Sequence, residues 1–546
     1  MNGEVIAVPE DMELASQIEK QYREGLQYKR RMEFATRWPE YERFKAGDQW
    51  PAATPRTRNL PRPVFNIIDH IESHKVASVM NENIKMVFSA AEGGSGVGEA
   101  AADLFTRLAD TTWEHIKQGQ LNEEALEDAS NRGTGIWHYF WDNSREGGRA
   151  LAWKGEMRGE IIDPMNFFPG NPQSRDVQRQ PHIIISSREL VSAVQEEARA
   201  AGMGVETVNA IKGDRDTQDE GYDSARVEMN DNDKVTVLTR YWRDRQTGTV
   251  WFAKAGSGVL VKPAADTGMR LYPLVVMQWK KRPKSIFGIG DTEGLIPNQK
   301  AINFLMAMQL LSVQLTGWPK LRYKPGAIDP GKITNAPGEM IEDKSATGGW
   351  GVDYMLPGTF NNQAQMLVER FIDYTKEISG AQEAAMGEAP SADLNASAIM
   401  LLQKAAGVPL EGIRRRFYQA MEDVGRIWEE FWKVKYNTRR LVSVKGDDGQ
   451  ELAVEFTGTD HAGAELNLKI DVGPASSYSE SLMMASLDRF LEKQYIGFDQ
   501  YLRYAPKNVV PFKDRLLREV QPRVGPSSGL EIPRDQVPIG DNNSGI

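Results

Sequence analysis

The sequence of 546 residues contains no cysteine and has six histidines. The missing thiols exclude disulfides, thiolate metal sites and a cysteine nucleophile, and they fit a reducing compartment. His70 and His74 share a helical face, but Glu72 between them points elsewhere. We therefore expect packing or surface roles for the histidines, and neither a metal nor another cofactor.

Signals for membranes and for catalysis are missing as well. No run of 18 apolar residues predicts a membrane span, and the first residues carry acids where a signal peptide has a basic and then apolar start. We expect a protein made in the cytosol, with no membrane partner. Residues 93–98 lack the Gly-Lys-Ser/Thr ending of a phosphate-binding loop, and no Gly-x-Ser-x-Gly elbow occurs. We predict that the chain is not an enzyme.

The charge balance is acidic. Lys and Arg number 66 against 76 Asp and Glu, which gives a formal net charge of −10. Proteins that hold nucleic acid by neutralising phosphates are usually basic, so we expect any DNA contact to be loose or local. A hydrophobic content of 40% is enough for a sizeable core. At about 150 residues per domain, the length predicts about three or four domains.

The first half of the sequence predicts helices followed by strands. The periodic apolar positions predict helices over residues 13–41, 66–81 and two stretches between 104 and 129. Four prolines between residues 51 and 63 predict an extended passage. Residues 187–232 are expected to be helical and then strongly polar. The alternating segments predict strands over 136–141, 150–154, 160–162, 235–242, 249–254 and 274–279.

The centre of the chain predicts two antiparallel helices with a small module at their tip. The first helix is expected over residues 292–316, with Pro297 in its first turn. The second is expected to begin after Asn361 or Asn362 and to end at Gly380. The insert between them is rich in proline and glycine, with strand-like pieces at 320–323 and 340–342. It is too long for a simple connection, so we expect a functional module.

A loop of small residues and a long helix follow. The helix is predicted from Asp393 through Phe431, with a kink near Ala406 or Gly407 because Pro409 lacks an N–H and its ring meets the carbonyl of Ala405. The remaining patterns predict a hairpin over 440–444 and 452–456, a third strand over 466–472, helices over 478–493 and 511–520, and a polar, disordered tail. The fold class is therefore α+β.

Two basic clusters flank the central helices. The first consists of Lys280, Lys281, Arg282 and Lys284. The second consists of Arg414, Arg415 and Arg416. Such clusters contact DNA or an acidic partner in some proteins, and in others they are solvated faces or subunit salt bridges. Both interpretations stay open. Gly288 and Gly290 likewise fit either an anion site at a helix start or, as we favour, a tight strand-to-helix turn.

Several stretches, taken in order, carry a resemblance. They are Gly47-Asp-Gln-Trp50 with Val64-Phe-Asn66; Ile162-Asp-Pro-Met-Asn-Phe167; Ser285-Ile-Phe-Gly-Ile-Gly290 through Pro297-Asn-Gln299 to Asn303; Ser397-Ala-Ile-Met-Leu-Leu-Gln403; and Ile470-Asp-Val-Gly-Pro-Ala475. In these stretches the chain resembles the portal proteins of tailed bacteriophages, and it is most similar to the group that includes the portal of phage P22. The resemblance spans most of residues 40–520.

The resemblance implies a portal fold, mainly helical, with β-rich pieces in the wing and the clip. Its implied parts are a flexible arm (1–20), a wing (21–284), a first stem helix (285–316), a clip (317–359), a second stem helix (360–380), a tunnel loop (381–392), a second part of the wing with the bent helix and the hairpin (393–476), a crown (477–520) and a disordered tail (521–546). Some relatives carry a long C-terminal helical barrel, which the polar tail does not predict.

The resemblance also implies the function. A portal is a dodecameric ring at one capsid vertex of the virion, assembled in the host cytoplasm, through which double-stranded DNA is packaged and later ejected. Its implied partners are the terminase large subunit, head-completion and tail adaptor proteins, and the major capsid and scaffolding proteins. Portals do not hydrolyse ATP, in agreement with the missing phosphate-binding loop. An acidic lumen would repel phosphates and let DNA slide.

The same resemblance points to particular residues. The tunnel loop would meet DNA through Gln382, Glu383, Met386, Gly387, Glu388 and Ser391. The clip would dock the terminase and the adaptors through Lys320, Arg322, Lys324, Asp329, Lys332 and Glu339. Two other classes stay open. Another head-to-tail connector or structural ring protein would share the acidic composition, but such proteins are usually shorter and lack the stem, clip, stem order. A nucleotidyl or peptidase enzyme would need a metal or nucleophile cluster.

Overall fold

The structure, a computed structural model, contains helices and sheets in an α+β arrangement. It divides into two compact units, Met1–Val444 with Ala453–Gly473, and Lys445–Leu452 with Pro474–Ile546. The structure describes residues 9–80, 83–91, 96–147, 152–214, 233–317, 320–329, 331, 342, 344, 351–355, 363–380, 396–445, 451–473 and 477–505. Of the flexible arm implied over 1–20, residues 1–8 lie outside the described residues, whereas residues 9–20 are helical and bury Ala15 and Ile18. The helix predicted over 511–520 and the tail over 521–546 also lie outside the described residues.

Five helices lie before the first large sheet. They are α1 (Pro9–Arg31), α2 (Phe34–Lys45), α3 (Ile67–Met80), α4 (Gly96–His115) and α5 (Gln118–Arg132). The single helix predicted over 13–41 is wrong, because the chain breaks at Glu33, whose φ of 61° is left-handed. After the break, Phe34 and Trp38 turn inward and pack on the Phe287 ring. The other three helices are confirmed. The passage over 51–63 is non-helical as predicted, but it is not extended throughout, because residues 55–59 form hydrogen-bonded turns.

Two antiparallel sheets follow. The strands β2 (Thr134–Gly147) and β3 (Trp153–Ile161) form a hairpin, in which β3 covers parts of the two strands predicted separately over 150–154 and 160–162. β9 (Leu274–Gln278) pairs with the other edge of β2. The second sheet has the order β4 (Phe167–Pro169), β5 (His182–Leu190), β6 (Lys234–Arg243), β7 (Val250–Gly256) and β8 (Val259–Asp266). After β5 come α6 (Val191–Ala200) and α7 (Val205–Ala210). Residues 187–190 are therefore strand, where a helix was predicted, and β4, β5 and β8 were not predicted as strands.

The central elements follow the predicted order. They are α8 (Asp291–Gly317), β10 (Lys320–Tyr323), β11 (Val352–Met355), α9 (Gln363–Ser379) and α10 (Ala396–Lys435). Asn298 Nδ2 on α8 donates a hydrogen bond of 3.1 Å to Thr375 Oγ1 on α9. β10, which is the strand-like piece predicted over 320–323, pairs with β11, and of the piece predicted over 340–342 residues 340 and 341 lie outside the described residues. Pro297 lies inside α8, beyond its first turn. α10 continues through Pro409, and the kink there stays a prediction.

The last strands are arranged differently from the prediction. β12 (Arg440–Lys445) and β13 (Glu451–Phe456) form the predicted hairpin as a separate two-stranded sheet. β14 (Leu466–Gly473) does not join it as a third strand. Instead it pairs antiparallel with β1 (Asn83–Ala90), which was not predicted. In the second unit, α11 (Ser477–Glu492) and α12 (Phe498–Tyr504) are joined by a 2.6 Å hydrogen bond from Tyr501 Oη to Asp488.

The largest core surrounds α10. Its inward face presents Phe417, Met421, Val424, Trp428 and Phe431, spaced as a helical stripe. This face packs with the buried side of the β2–β3–β9 sheet and with α4. Burying a large apolar side chain stabilises the fold by about 1.5 to 3 kcal/mol. α10 is therefore the main internal support on which the first sheet is fixed.

Candidate functional site

The turn between β9 and α8 fixes where the central helix begins. A Cβ added at Gly288 would lie 2.2 Å from the carbonyl oxygen of Gly133, and one added at Gly290 would lie 2.2 Å from that of Asn131. Gly133 itself has a left-handed φ of 94° at the end of α5. Only glycine permits this approach of two backbones. The Gly288 N–H donates to Thr134 Oγ1 at 3.0 Å, which favours the tight-turn interpretation over an anion site.

A buried ion pair holds the first residue of α8. Lys75 Nζ on α3 lies 2.8 Å from Asp291 Oδ2, and both side chains are almost fully buried. The Trp279 indole N–H donates to the same oxygen at 3.0 Å, and Lys280 Nζ lies 2.6 Å from Oδ1. Burial raises the pKa of Asp291, but Lys75 and Lys280 outweigh it and hold this pKa below its ordinary value. Asp291 is therefore a charged anchor.

Beside this pair lies a second buried carboxyl, Glu72. The Thr292 hydroxyl of α8 donates a hydrogen bond to Glu72 Oε1, and Asn131 Nδ2 of α5 donates to that hydroxyl at 3.2 Å. Burial raises the pKa of Glu72 to about 7, against the smaller opposing effect of the Thr292 hydrogen bond. Three helices, α3, α5 and α8, thus meet at one polar cluster around the start of α8.

Two to three turns further along α8, four amide side chains form a network. Asn303 Nδ2 donates to Gln49 Oε1 at 2.6 Å, and Gln49 Nε2 donates to Asn66 Oδ1 at 2.9 Å. Gln299 Nε2 donates to Asn303 Oδ1 at 2.9 Å, and Gln299 Oε1 accepts from the Ile67 N–H at 3.1 Å. Each donor and acceptor makes a definite bond, so the network fixes one geometry. Two of the recognised stretches, far apart in sequence, are joined here.

The stretch 162–167 is also structural. The Asp163 carboxylate accepts from the Met165 N–H at 2.7 Å and from the Arg132 guanidinium. The ammonium group of Lys29, which is 1% exposed, donates to the carbonyl of Pro164 at 2.9 Å and to that of Met165. The ammonium group also lies 3.5 Å from the centre of the Phe168 ring. These contacts fasten α1 to the beginning of the five-stranded sheet.

The surface of α8 is unusually apolar, and α9 beside it also exposes apolar side chains. From Ala301 to Gly317 the sequence of α8 contains no charged residue. The exposed apolar side chains of the pair are Phe304, Met308, Leu310 and Val313 on α8, and Met366, Leu367, Tyr374 and Ile378 on α9. A groove of about 690 Å³ lies between the helices, lined by residues that include Met306, Val313 and Val368. An apolar surface of this extent marks an interaction site.

The described part of the clip prediction forms an exposed ribbon. Lys320 and Arg322 lie on β10, and Lys324 and Asp329 follow in the adjoining turns, all with exposed side chains. Arg322 pairs with Asp353 on β11 across the ribbon at 2.7 Å. The other predicted clip residues, Lys332 and Glu339, lie outside the described residues. So do the predicted tunnel-loop residues Gln382, Glu383, Met386, Gly387, Glu388 and Ser391.

In the first basic cluster, two side chains form ion pairs and the other two are exposed to solvent. Lys280 pairs with Asp291, and Arg282 pairs with Glu293 at 2.8 Å. Lys281 and Lys284 are exposed. The two paired cations fix the turn before α8, which leaves two exposed cations that face solvent.

The second basic cluster is divided in the same way. Arg414 donates to the Ser78 carbonyl at 2.9 Å, and Arg416 donates to the carbonyls of Gln278, at 2.9 Å, and Trp279. Arg415 is exposed. Burial lowers the pKa of Arg416 from its ordinary value, as expected for a cation that supports the end of β9.

Two of the recognised stretches thus meet at the base of α8, and the comparison with known families agrees with the resemblance. Residues 187–480 match the family model of the phage P22-like portal protein. This chain belongs to the P22-like portal family. The match covers more than half of the 546 residues. No curated protein matches the chain. Among the helices that the structure describes, none is long and apolar enough to cross a membrane.

Sequence reasoning did not predict the buried hydrogen bonds of Glu72, nor those of two amides in the recognised stretches. Glu72 was mentioned only because it lies between two histidines, and Gln299 and Asn303 were only parts of a motif. A signal for the amides existed, since positions 299 and 303 are four residues apart and share one helical face. Two amides on the same face of an otherwise apolar helix indicate a buried hydrogen-bond network.

Proposed function

We propose that this member of the P22-like portal family forms a dodecameric ring at one capsid vertex, through which the terminase packages double-stranded DNA. The DNA leaves through the same channel at ejection, and head-completion and tail adaptor proteins assemble on the ring. The observation that carries the proposal is the exposed, uncharged face of α8. A ring of identical subunits covers such a face on every copy.

The apolar face and the groove support a contact between identical chains. A helix that is apolar around its circumference is normally buried. Here Phe304 is 54% exposed and Val313 is 69% exposed, although both lie on such a helix. The groove between α8 and α9 offers an apolar site for side chains of this kind from a neighbouring copy. In a ring, one surface of each subunit meets a different surface of the next, so the contact is heterologous and closes on itself.

The parts of the proposed ring follow the order of the elements. α8 and α9 are the proposed stem, with the β10–β11 ribbon between them in sequence as the proposed clip. The two large sheets and α10 with the hairpin are the proposed wing, the segment after Gly380 is the proposed tunnel loop, and α11 and α12 begin the proposed crown. The exposed side chains of Lys320, Arg322 and Lys324 make the ribbon suitable for docking an acidic surface of the terminase or of an adaptor.

The buried cluster at the base of α8 has a supporting role in this proposal. Packaging pulls on DNA inside the channel, and the proposed stem must keep its position relative to the wing. The Lys75–Asp291 pair and the amide network tie α8 to α3 and to the passage before it through directional bonds. Directional polar contacts specify one arrangement where apolar packing alone allows sliding.

Electron microscopy of the purified protein tests the proposal, with mass photometry to count the subunits. We expect rings with a central channel and a mass twelve times that of the 61.2 kDa chain. Compact monomers or dimers at micromolar concentration would contradict it. A clip variant, Lys320→Ala with Lys324→Ala, is expected to form rings of normal mass that bind the terminase more weakly. If this variant binds the terminase as tightly as the wild type does, these two lysines do not form the docking site. The proposal of a ring would not be affected by that result.

A further inference from the structure

An exposed loop between α2 and α3 has a charge opposite to that of the whole chain. Residues 49–68 contain Arg56, Arg58 and Arg62 and no acidic residue, in a protein of net charge −10. We call residues 50–66 the arginine loop. We propose that the arginine loop contacts the phosphate backbone of double-stranded DNA, an inference that rests on the proposed DNA channel.

The arginine loop is closed at its base and ordered at its tip. The Trp50 indole N–H donates to the Pro63 carbonyl at 2.9 Å, and Arg62 donates to the Pro51 carbonyl at 3.0 Å. At the tip, the Arg58 N–H donates to the Thr54 carbonyl at 2.9 Å. Its four prolines restrict the backbone further. The loop therefore loses little conformational entropy when it binds a partner.

The two arginines at the tip are available for binding. Arg56 and Arg58 are exposed, and neither forms an ion pair with any described residue. A guanidinium group binds a phosphate through two parallel hydrogen bonds, so it suits a DNA backbone. Arg62 differs, because its hydrogen bond to Pro51 helps to close the loop. The proposed contact is therefore assigned to Arg56 and Arg58.

The composition of the tip favours DNA over a protein surface. Residues 53–59 read Ala-Thr-Pro-Arg-Thr-Arg-Asn and contain no large apolar side chain. Stable protein interfaces usually have an aromatic or aliphatic centre. Contacts to DNA phosphates use arginine together with hydroxyl and amide groups, which this tip provides in Thr54, Thr57 and Asn59.

The arginine loop is also connected to the proposed channel wall. Phe65, at its end, accepts a hydrogen bond from Gln299 through its carbonyl, and its N–H lies 3.5 Å from Asn303 Oδ1. Both side chains belong to α8, so the loop is fixed to the base of that helix. A force on DNA bound here would therefore pass directly to the proposed stem. The rest of the proposed ring is acidic and would let DNA slide.

The test compares DNA binding by three forms of the full chain. In R56Q/R58Q, two exposed charges of the loop are removed, and Arg62 stays to close it. The control, R175Q/R245Q, removes two exposed arginines from turns next to the five-stranded sheet. Mass photometry first establishes the oligomeric state of each form without DNA. Fluorescence anisotropy then gives the Kd for a short DNA duplex at several salt concentrations between 50 and 200 mM.

We expect the slope of log Kd against log salt to be smaller in R56Q/R58Q than in the wild type, by about 1.8 for each loop that contacts the DNA in the wild type. Each loop loses two phosphate contacts, and each contact contributes about 0.9 to the slope. The R175Q/R245Q slope should equal that of the wild type. Equal slopes for the loop variant and the wild type would overturn the inference, as would a wild type that binds no DNA at 50 mM salt. Folded R56Q/R58Q that no longer forms rings would assign the loop to a subunit contact instead. A wild type without rings contradicts the proposed function, and the slopes still decide the role of the loop.

Discussion

Lys75 and Asp291 form an ion pair that is closed to solvent and joins α3 to the first residue of α8, with 2.8 Å between Nζ and Oδ2. Removing Lys75 leaves the buried Asp291 carboxylate with only the partly exposed Lys280 as its cation. We expect Lys75→Met to lower the free energy of unfolding by about 3 to 5 kcal/mol. Denaturation in urea, followed by tryptophan fluorescence, measures the change.

The matched control is Lys280→Met, which removes the other cation near Asp291. The Lys280 side chain is 51% exposed. An exposed pair contributes about 0 to 1 kcal/mol, so this variant should lose much less stability. Similar losses in the two variants would show that burial does not decide the strength of these pairs.

Glu72 should make stability fall as the pH rises. Burial raises its pKa from 4.5 to about 7. Between these values the folded protein holds the proton more tightly than the unfolded chain does, so each step up in pH favours unfolding. Glu72 therefore costs no stability below about pH 4.5 and the full amount, about 3 kcal/mol, above about pH 7.

The variant Glu72→Gln isolates this effect, because the amide keeps an acceptor for the Thr292 hydroxyl. Urea midpoints at pH 5, 6, 7 and 8 should show the variant gaining stability relative to the wild type as the pH rises. Curves that stay parallel over this range would mean that Glu72 does not titrate in it.

Gly290 and Gly294 should respond in opposite directions to alanine. A Cβ at position 290 would lie 2.2 Å from a backbone oxygen, and a Cβ at 294 meets nothing within 4 Å. We expect Gly290→Ala to cost about 3 kcal/mol or more through overpacking, and Gly294→Ala to add about 0.5 to 1 kcal/mol through helix propensity. Thermal unfolding of both variants checks this. Two variants with the same sign would contradict the backbone contact at Gly290.

The exposed face of α8 should control assembly but not folding. Phe304→Gln with Val313→Gln is expected to weaken each subunit contact by at least about 1.5 kcal/mol, more than tenfold in Kd. Mass photometry across a dilution series measures the loss of rings, and circular dichroism monitors the fold. The control is Val205→Gln on α7, a site that is 70% exposed. Rings that persist in the double variant at the same dilution as in the wild type would place the subunit contact elsewhere.

The sequence predicted the long periodic elements and missed those that depend on distant partners. α8, α9 and α10 carry regular apolar spacings and clear ends, and all three were found. β5 begins with His-Ile-Ile-Ile, a short apolar run whose period fits a buried strand or a helix equally well. No glycine or proline next to Glu33 indicates the break in the helix there. It depends on the packing of Phe34 and Trp38 on Phe287, which is far away in the sequence.

At the base of α8, too, the local motifs were recognised from the sequence but the contacts between distant residues were not. The stretches around Gln49, Asn66 and Gln299 were recognised as features of a family, but nothing local states that their amides meet. The hydrogen bonds from Asn303 to Gln49 and from the Ile67 N–H to Gln299 join residues more than 200 positions apart. The raised pKa of Glu72 likewise depends on burial by three helices, which a linear sequence does not display.

The strand β1 is synthesised long before β14, the strand with which it pairs. Ser89 and Asn467, neighbours in this sheet, are 378 positions apart. At ribosomal speeds of about 5 to 20 residues per second, β1 waits roughly 20 to 75 s for its partner strand to be made. During this time Met86 and Phe88 lack β14 and the α10 face that covers them in the finished fold. A nascent chain therefore exposes these apolar side chains over this interval, and only a nearly complete chain can finish this part of the fold.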